Sequence, residues 1–161
     1  MLYKGIGTPE NKAESFKYYK NAADSDDIDS IFHVAYMLDN GIGTQENKAN
    51  AIKYYKLSAD KGEVKSMSRY AFMKEEGIGT KEDKVESCKY YKKAADKGDV
   101  DSIFKYAYML ENGIGTPENK KEAFNYYKLS ADKGESNSIY RCAFMLDNGI
   151  GTKIDHKEAC K

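Results

Sequence analysis

Several features that mark particular classes of protein are missing from this 161-residue sequence. Lysine and arginine together number 26, as do aspartate and glutamate, so the chain has no excess positive charge for displacing counterions from nucleic acid. Only Arg69 and Arg141 are arginines, although arginine is the preferred reader of phosphate and guanine. No apolar run approaches the roughly 18 residues that indicate a membrane-spanning helix. These absences argue against general nucleic-acid binding and against a transmembrane protein.

The sequence does contain a strict repeat. The tetrapeptide Gly-Ile-Gly-Thr begins five times, at intervals of 36 residues. A fixed period of this length is typical of solenoid proteins. We therefore divide the chain into a partial helix (1–4), four repeats (5–40, 41–76, 77–112 and 113–148) and a partial repeat (149–161). The first repeat resembles the third and the second resembles the fourth, which indicates that a pair of repeats was duplicated.

Each repeat contains the pattern of two amphipathic helices. In the third repeat the first helix is predicted from about Asp83 to Asp96 and the second from about Asp99 to Glu111, because apolar residues recur every three or four positions. Such a hairpin cannot bury its apolar face alone, so neighbouring repeats must stack. The sequence thus predicts an all-α protein, an α/α solenoid of helix–turn–helix repeats with a 36-residue period.

The turns have their own signals. Gly-Ile-Gly-Thr could suggest a phosphate loop, but each copy follows a helix rather than a strand and none contains Gly-Lys-Ser/Thr. We interpret it as the hinge between hairpins. Asn or Asp followed three residues later by Glu, as in Asn11 and Glu14, predicts the start of the first helix in each repeat except the second, where Asn47 is followed by Asn50. Gly98 predicts its left-handed end. Asp26 takes that place in the first repeat, so we expect a strained or rearranged turn there.

The cysteines and tyrosines read as structural. Cys88, Cys142 and Cys160 occupy positions that other repeats fill with larger apolar residues, so we interpret them as core residues. Their odd number favours a reducing compartment over a disulfide framework. The N-terminus has no signal-peptide pattern, so we expect a cytoplasmic protein. In each Tyr-Tyr pair, such as Tyr54 and Tyr55, the second residue is predicted to be buried and the first half-exposed.

This combination resembles the Sel-like repeat family, a branch of the tetratricopeptide-like α-solenoids, over essentially the whole chain. In the third repeat it is carried by Asp83–Tyr91, Ala94–Gly98, Ala107 and Met109–Gly115. The resemblance implies a right-handed superhelix. This chain has Ala107 and its equivalents where the family usually has Gly, and Ser102 and its equivalents where the family usually has Ala. Both are exchanges between small residues and leave the fold prediction intact.

By the same resemblance, the second helix of each repeat lines the concave face. There we predict an aromatic groove with an acidic rim, which would hold an extended peptide or helix bearing Lys or Arg. The predicted binding residues are Phe32, Tyr36, Asp39, Phe72, Glu75, Phe104, Tyr108, Glu111, Tyr140, Phe144 and Asp147. The aromatic columns suit groove lining and packing between repeats equally well. We predict a non-catalytic protein-interaction scaffold or adaptor.

Other readings have less support. Ser-x-x-Lys at Ser58/Lys61 and Ser130/Lys133 matches the nucleophile motif of penicillin-interacting enzymes, but the companion motifs Ser-Asp-Asn and Lys-Thr-Gly are absent. A purely structural spacer is the third reading. No catalytic, cofactor-binding or metal-binding residues are predicted. Neither end shows a polar capping repeat, so we expect a fragment of a longer array that is able to make head-to-tail contacts with other copies.

Overall fold

The structure, a computed structural model, describes residues 9–159, and the side chains of residues 11–157. Within that range the chain is helical, without strands. The helices are α1 (Pro9–Ala23), α2 (Ile28–Asn40), α3 (Lys48–Asp60), α4 (Val64–Glu76), α5 (Lys84–Asp96), α6 (Val100–Asn112), α7 (Lys120–Ala131), α8 (Ser136–Asn148) and α9 (His156–Ala159). The predicted partial helix 1–4, the first tetrapeptide (5–8) and Cys160 lie outside the described residues.

The chain divides into two compact units, Met1–Asp83 and Lys84–Lys161. In the first unit consecutive helices from α1 to α4 pack on one another, and α2 packs most extensively on α3. In the second unit α5 to α8 pack in the same order, α6 packs most extensively on α7, and α8 also contacts α9. The repeat pair inferred from the sequence similarity therefore has a structural counterpart within each unit. We call the odd-numbered helices the first helices and the even-numbered helices the second helices.

The predicted helices form with small shifts at their ends. Helix α5 begins one residue after Asp83 and ends at Asp96, as predicted. Helix α6 begins after Asp99, whose carboxylate accepts the Ser102 N–H at 3.0 Å, and it ends at a left-handed Gly113. The prediction that Asn11 caps α1 is wrong, because this helix already begins at Pro9. Proline suits the first turn, since its φ is fixed there and its missing N–H would have no partner.

The second glycine of the tetrapeptide is required by a close contact. At Gly115, where φ is 67°, an added Cβ would lie 2.0 Å from the carbonyl oxygen of Lys84. At Gly79, in the other unit, the corresponding distance to the Lys48 oxygen is 2.4 Å. The hinge therefore lies directly on the first turn of the preceding first helix. The structural reading of the tetrapeptide is confirmed, and its second glycine has a steric reason as well as a conformational one.

The turn between α1 and α2 carries backbone strain. Asp26 has a φ of 67° and is the one residue other than glycine with positive φ in the described range. The turn is otherwise built like its equivalents, since the Asp27 N–H donates to the Ala22 carbonyl at 3.3 Å and the Asp99 N–H donates to the Ala94 carbonyl at 3.1 Å. The turn is thus strained, as predicted, but not rearranged.

The predicted core is largely confirmed. Cys88 is buried among the core residues, and Ala107 and its equivalents Ala35 and Ala71 are fully buried where helices meet. Cys142 and Ala143 on α8, which were predicted to be buried in the same way, are only half-buried. The second tyrosine of each pair is buried at Tyr55, Tyr91 and Tyr127, whereas Tyr19 in the first repeat is only half-buried. The first tyrosine follows the prediction less closely: Tyr90 is buried, and the Lys93 Nζ lies 4.4 Å from the centre of its ring.

Candidate interaction face on the second helices

The predicted binding residues differ in exposure. In the first unit the three aromatic residues, Phe32, Tyr36 and Phe72, are half-buried. In the second unit Phe104 is half-buried, whereas Tyr108, Phe144 and Tyr140 are exposed by 44%, 39% and 71%. Three aromatic side chains of the second unit are therefore available to a partner.

The half-buried phenylalanines pack between repeats. The Phe32 ring centre lies 6.1 Å from that of Tyr55 on α3, and the Phe104 ring centre lies 5.7 Å from that of Tyr127 on α7. Each ring thus leans on the buried tyrosine of the following first helix. Of the two uses left open for this aromatic column, packing between repeats holds for Phe32 and Phe104.

The predicted acidic rim is wrong for two of its four members. The Asp39 side chain is 1% exposed and the Glu111 side chain 5% exposed. A buried carboxylate needs hydrogen-bonding and cationic partners, and both residues have them within the chain. The remaining acids of the column are Glu75, which is half-buried, and Asp147, which is exposed and lies 3.0 Å from the His156 Nδ1.

In the first unit, two helices supply the partners of Asp39. The Lys48 Nζ at the start of α3 lies 3.0 Å from Oδ1. The Tyr55 hydroxyl, also on α3, donates to Oδ2 at 3.3 Å, and the Arg69 Nε on α4 donates to the same oxygen at 2.8 Å. The carboxylate at the end of α2 therefore binds both the next first helix and the next second helix.

In the second unit, Glu111 has a corresponding set of partners. The Tyr127 hydroxyl on α7 donates to Oε2 at 3.0 Å, and the Arg141 Nε on α8 donates to the same oxygen at 3.0 Å. The Arg141 Nη2 also donates to Oε1, so the guanidinium holds both carboxylate oxygens. We call Asp39, Tyr55 and Arg69 the first acid–tyrosine–arginine cluster and Glu111, Tyr127 and Arg141 the second.

Each arginine of a cluster also covers a phenylalanine. The Arg69 Cζ lies 5.2 Å from the ring centre of Phe72, and the Arg141 Cζ lies 5.0 Å from that of Phe144. These distances suit a cation–π contact. The clusters were not predicted, although the sequence holds a signal for them. The only two arginines occupy the same position in the second and fourth repeats, and each follows an acid by 30 residues.

The environment of each cluster keeps its tyrosine neutral. Burial raises the pKa of Tyr55, and the negative charge of Asp39 raises it further. Burial and the Glu111 carboxylate raise the pKa of Tyr127 in the same way. The hydrogen bond to Glu111 raises the pKa of Arg141, so the guanidinium keeps its charge. Both hydroxyls therefore stay protonated as donors at neutral pH.

The exposed aromatic residues share one side of the second unit. Tyr140 and Phe144 are four residues apart on α8 and so lie on the same side of that helix. Tyr108 precedes Glu111 by three residues on α6, and the ion pair from Glu111 to Arg141 joins this side of α6 to α8. We call Tyr108, Tyr140 and Phe144 the aromatic face.

The serines of the hydrolase motif lie in the core. Ser58 and Ser130 are fully buried, so neither hydroxyl meets solvent. The Ser130 Oγ lies within 3.5 Å of the Val100 carbonyl oxygen, and Lys61 pairs with Asp26 at 3.2 Å. Among residues 9–159, no group of three or more His, Cys, Asp or Glu side chains could hold a metal ion. No helix in the same range has the length and apolar character needed to cross a membrane.

Solved structures with similar folds come from several bacteria. A protective antigen of uropathogenic Escherichia coli strains that displays an SLR fold aligns with a TM-score of 0.91 and 28% identity, over 98% of this chain and 34% of that one. A Sel1 repeat protein from Oxalobacter formigenes aligns with a TM-score of 0.81 and 27% identity, over 91% of this chain and 63% of that one. Helicobacter pylori cysteine rich protein B shares the fold, with a TM-score of 0.62 and 19% identity, over 83% of this chain and 96% of that one.

The chain spans about a third of the E. coli antigen and less than two thirds of the Oxalobacter protein. No curated protein sequence matches it. The family model of the Sel1 repeat matches residues 1–27, 28–63, 64–99, 100–135 and 136–161, so that each full copy begins near the start of a second helix. Together with the solenoid fold of paired helices, this match places the chain in the Sel1 repeat family.

Proposed function

We propose that this protein is a non-catalytic scaffold that binds a peptide or helical segment of a partner protein on the aromatic face. Sel1 repeat proteins are generally protein-interaction scaffolds. The observation that carries the proposal is the exposure of Tyr108, Tyr140 and Phe144 on two consecutive second helices of one unit. Clustered aromatic side chains supply much of the binding energy in protein interfaces, so exposed aromatic residues are candidate anchors.

The clusters change the chemistry expected of the partner. Asp39 and Glu111 are already paired within the chain, so they offer no charge to a partner. Asp147 remains exposed and could pair with a Lys or Arg of the bound segment. We therefore propose a segment with aromatic or aliphatic anchors and at most one basic residue near Asp147. The predicted binding roles of Phe32, Tyr36, Phe72 and Glu75 in the first unit stay predictions.

The alternatives are weaker on physical grounds. A hydrolase of the penicillin-interacting type needs a serine that its substrate can reach, and Ser58 and Ser130 are fully buried. Sel1 repeat proteins are also typically non-catalytic. A structural spacer would not need exposed aromatic side chains on one face. We also propose a cytoplasmic location, because the odd number of cysteines favours a reducing compartment.

The test compares capture of proteins from a lysate of the source organism by three forms of the tagged chain. The face variant carries Tyr108→Ser, Tyr140→Ser and Phe144→Ala. The control variant carries Leu57→Ser and Leu129→Ser, which remove exposed apolar side chains from the first helices. We expect the wild type and the control to capture the same protein and the face variant to lose it. Equal capture by all three forms would refute the aromatic face, and no capture after chemical cross-linking would favour the spacer.

A further inference from the structure

We infer that the acid–tyrosine–arginine clusters are positioning devices, in which a buried carboxylate fixes an arginine and the arginine fixes a phenylalanine ring. In the second unit the order is Glu111, Arg141 and Phe144, and Phe144 belongs to the aromatic face. This inference rests on the proposed function for its biological meaning. Its physical content, the placement of the ring, is testable without a partner.

The first step is the fixed carboxylate. Glu111 lies at the end of α6 and is buried, and its Oε2 accepts the hydroxyl of Tyr127 at 3.0 Å. Tyr127 is itself buried on α7. A tyrosine has few rotatable bonds, so a buried tyrosine is a rigid hydrogen-bond donor. The carboxylate therefore has one orientation, which is set by α7.

The second step is the fixed guanidinium. Arg141 donates from Nε and Nη2 to the two oxygens of Glu111. Paired donation of this kind fixes both the position and the plane of a guanidinium, whereas a lysine would fix a point charge alone. The side chain of Arg141 is about one third exposed, so it lies where the buried cluster meets the surface.

The third step is the ring. The Arg141 Cζ lies 5.0 Å from the ring centre of Phe144, three residues later on α8. An exposed phenylalanine on a helix can populate more than one rotamer. Contact with a fixed guanidinium favours one of them, because the cation is attracted to the face of the ring. Glu111 and Arg141 thereby act as positioning residues for the aromatic face.

The first unit repeats the arrangement with a different acid. Asp39 is one methylene shorter than Glu111, yet it holds Tyr55 and Arg69, and Arg69 covers Phe72 at 5.2 Å. Lys48 makes an additional ion pair with Asp39. The same chain of contacts is therefore built once in each unit, at equivalent positions of the repeat pair, although the acids differ.

The test is fluorine NMR of the full chain labelled with 4-fluorophenylalanine, which gives one resonance for each of the six phenylalanines. Phe144→Leu and Phe72→Leu assign the two resonances of interest. We expect Arg141→Met and Glu111→Gln each to move the Phe144 resonance toward its position in the urea-unfolded chain, by more than its linewidth. Arg69→Met is the matched control and should move the Phe72 resonance while leaving that of Phe144 in place.

The inference is overturned if Glu111→Gln leaves the Phe144 resonance unmoved while the other resonances show a folded chain. If Arg141→Met does not fold, Arg69→Met decides the question on Phe72, since Lys48 still neutralises Asp39. These results do not depend on any partner. A moved Phe144 resonance together with unaltered capture by the face variant would uphold the positioning role and refute the proposed function.

Discussion

Removal of Arg141 alone should destabilise the protein more than removal of Arg141 and Glu111 together. Arg141→Met leaves Glu111 with one neutral donor, Tyr127, in a site that is 5% exposed. Breaking a buried ion pair from one side costs about 3–5 kcal/mol. Because Arg141 is one third exposed, we expect smaller losses of unfolding free energy, about 2–4 kcal/mol for Arg141→Met and about 1–2 kcal/mol for Glu111→Gln. Arg141→Met leaves the buried Glu111 carboxylate without its cationic partner, whereas Glu111→Gln leaves the partly solvated Arg141 guanidinium.

The double variant Glu111→Gln/Arg141→Met leaves no uncompensated charge, so its free energy of unfolding should fall by only about 1–3 kcal/mol. The double-mutant cycle formed by the wild type, the two single variants and the double variant then gives a coupling free energy of roughly 2 kcal/mol between Glu111 and Arg141. The measurement is urea unfolding of the four proteins by circular dichroism, read as midpoints at equal m-values, because a change in m would signal a change in unfolding mechanism.

A matched cycle on an exposed pair provides the control. Lys56 and Asp60 are 2.6 Å apart, and both side chains are more than 40% exposed. Their coupling should not exceed about 0.5 kcal/mol. If Glu111 and Arg141 are additive within about 0.3–0.5 kcal/mol, the cluster is not an energetic link between α6 and α8 and the reasoning is refuted.

Three further predictions concern the turns and one buried hydroxyl. Gly115→Ala should lower the free energy of unfolding by at least about 3 kcal/mol, because the added methyl would overlap the Lys84 oxygen. Gly98 has open space around it, so Gly98→Ala should lower the free energy of unfolding by only about 1–2 kcal/mol. Urea unfolding midpoints measure both changes. Asp26→Gly should raise the free energy of unfolding by about 1 kcal/mol, because glycine adopts the left-handed φ of this position without strain. A lower melting temperature of this variant would contradict the prediction. Burial raises the pKa of Tyr106 from 10.0 to about 12, so between these values the native state binds more protons than the unfolded state and stability falls as pH rises. The free energy of unfolding should fall by up to roughly 2–3 kcal/mol between pH 10 and pH 12. Urea titrations should show a smaller fall for Tyr106→Phe than for the wild type, and an equal fall would contradict the prediction.

Local signals predicted the helices well. Asp83 and Gly98 bracket α5, and the end of α6 at Gly113 follows from a backbone conformation that glycine adopts without strain. The start of α1 was misplaced because two local signals compete there, a capping residue at Asn11 and a proline at Pro9, and proline at the first turn prevails. At this boundary the prediction failed because two neighbouring residues carry competing signals.

The buried clusters could not be predicted from local pattern. Asp39 and Glu111 stand at helix ends, where an acid is ordinarily exposed, and their burial depends on an arginine 30 residues later in the chain. The burial of Tyr90 likewise depends on packing rather than on its position in the helical pattern. The aromatic columns are visible in the sequence, but which rings pack between repeats and which are exposed depends on the neighbouring helix.

The central claim is that the aromatic face binds a partner segment. Its most direct test is the dissociation constant of the captured partner, measured by titration calorimetry for the wild type, the face variant and the control variant. At roughly 1 kcal/mol or more for each lost anchor, the face variant should bind at least about 100-fold more weakly, while the control variant keeps the wild-type affinity. Dissociation constants of the face variant and the wild type within about threefold of each other, a difference below about 1 kcal/mol, would contradict the claim.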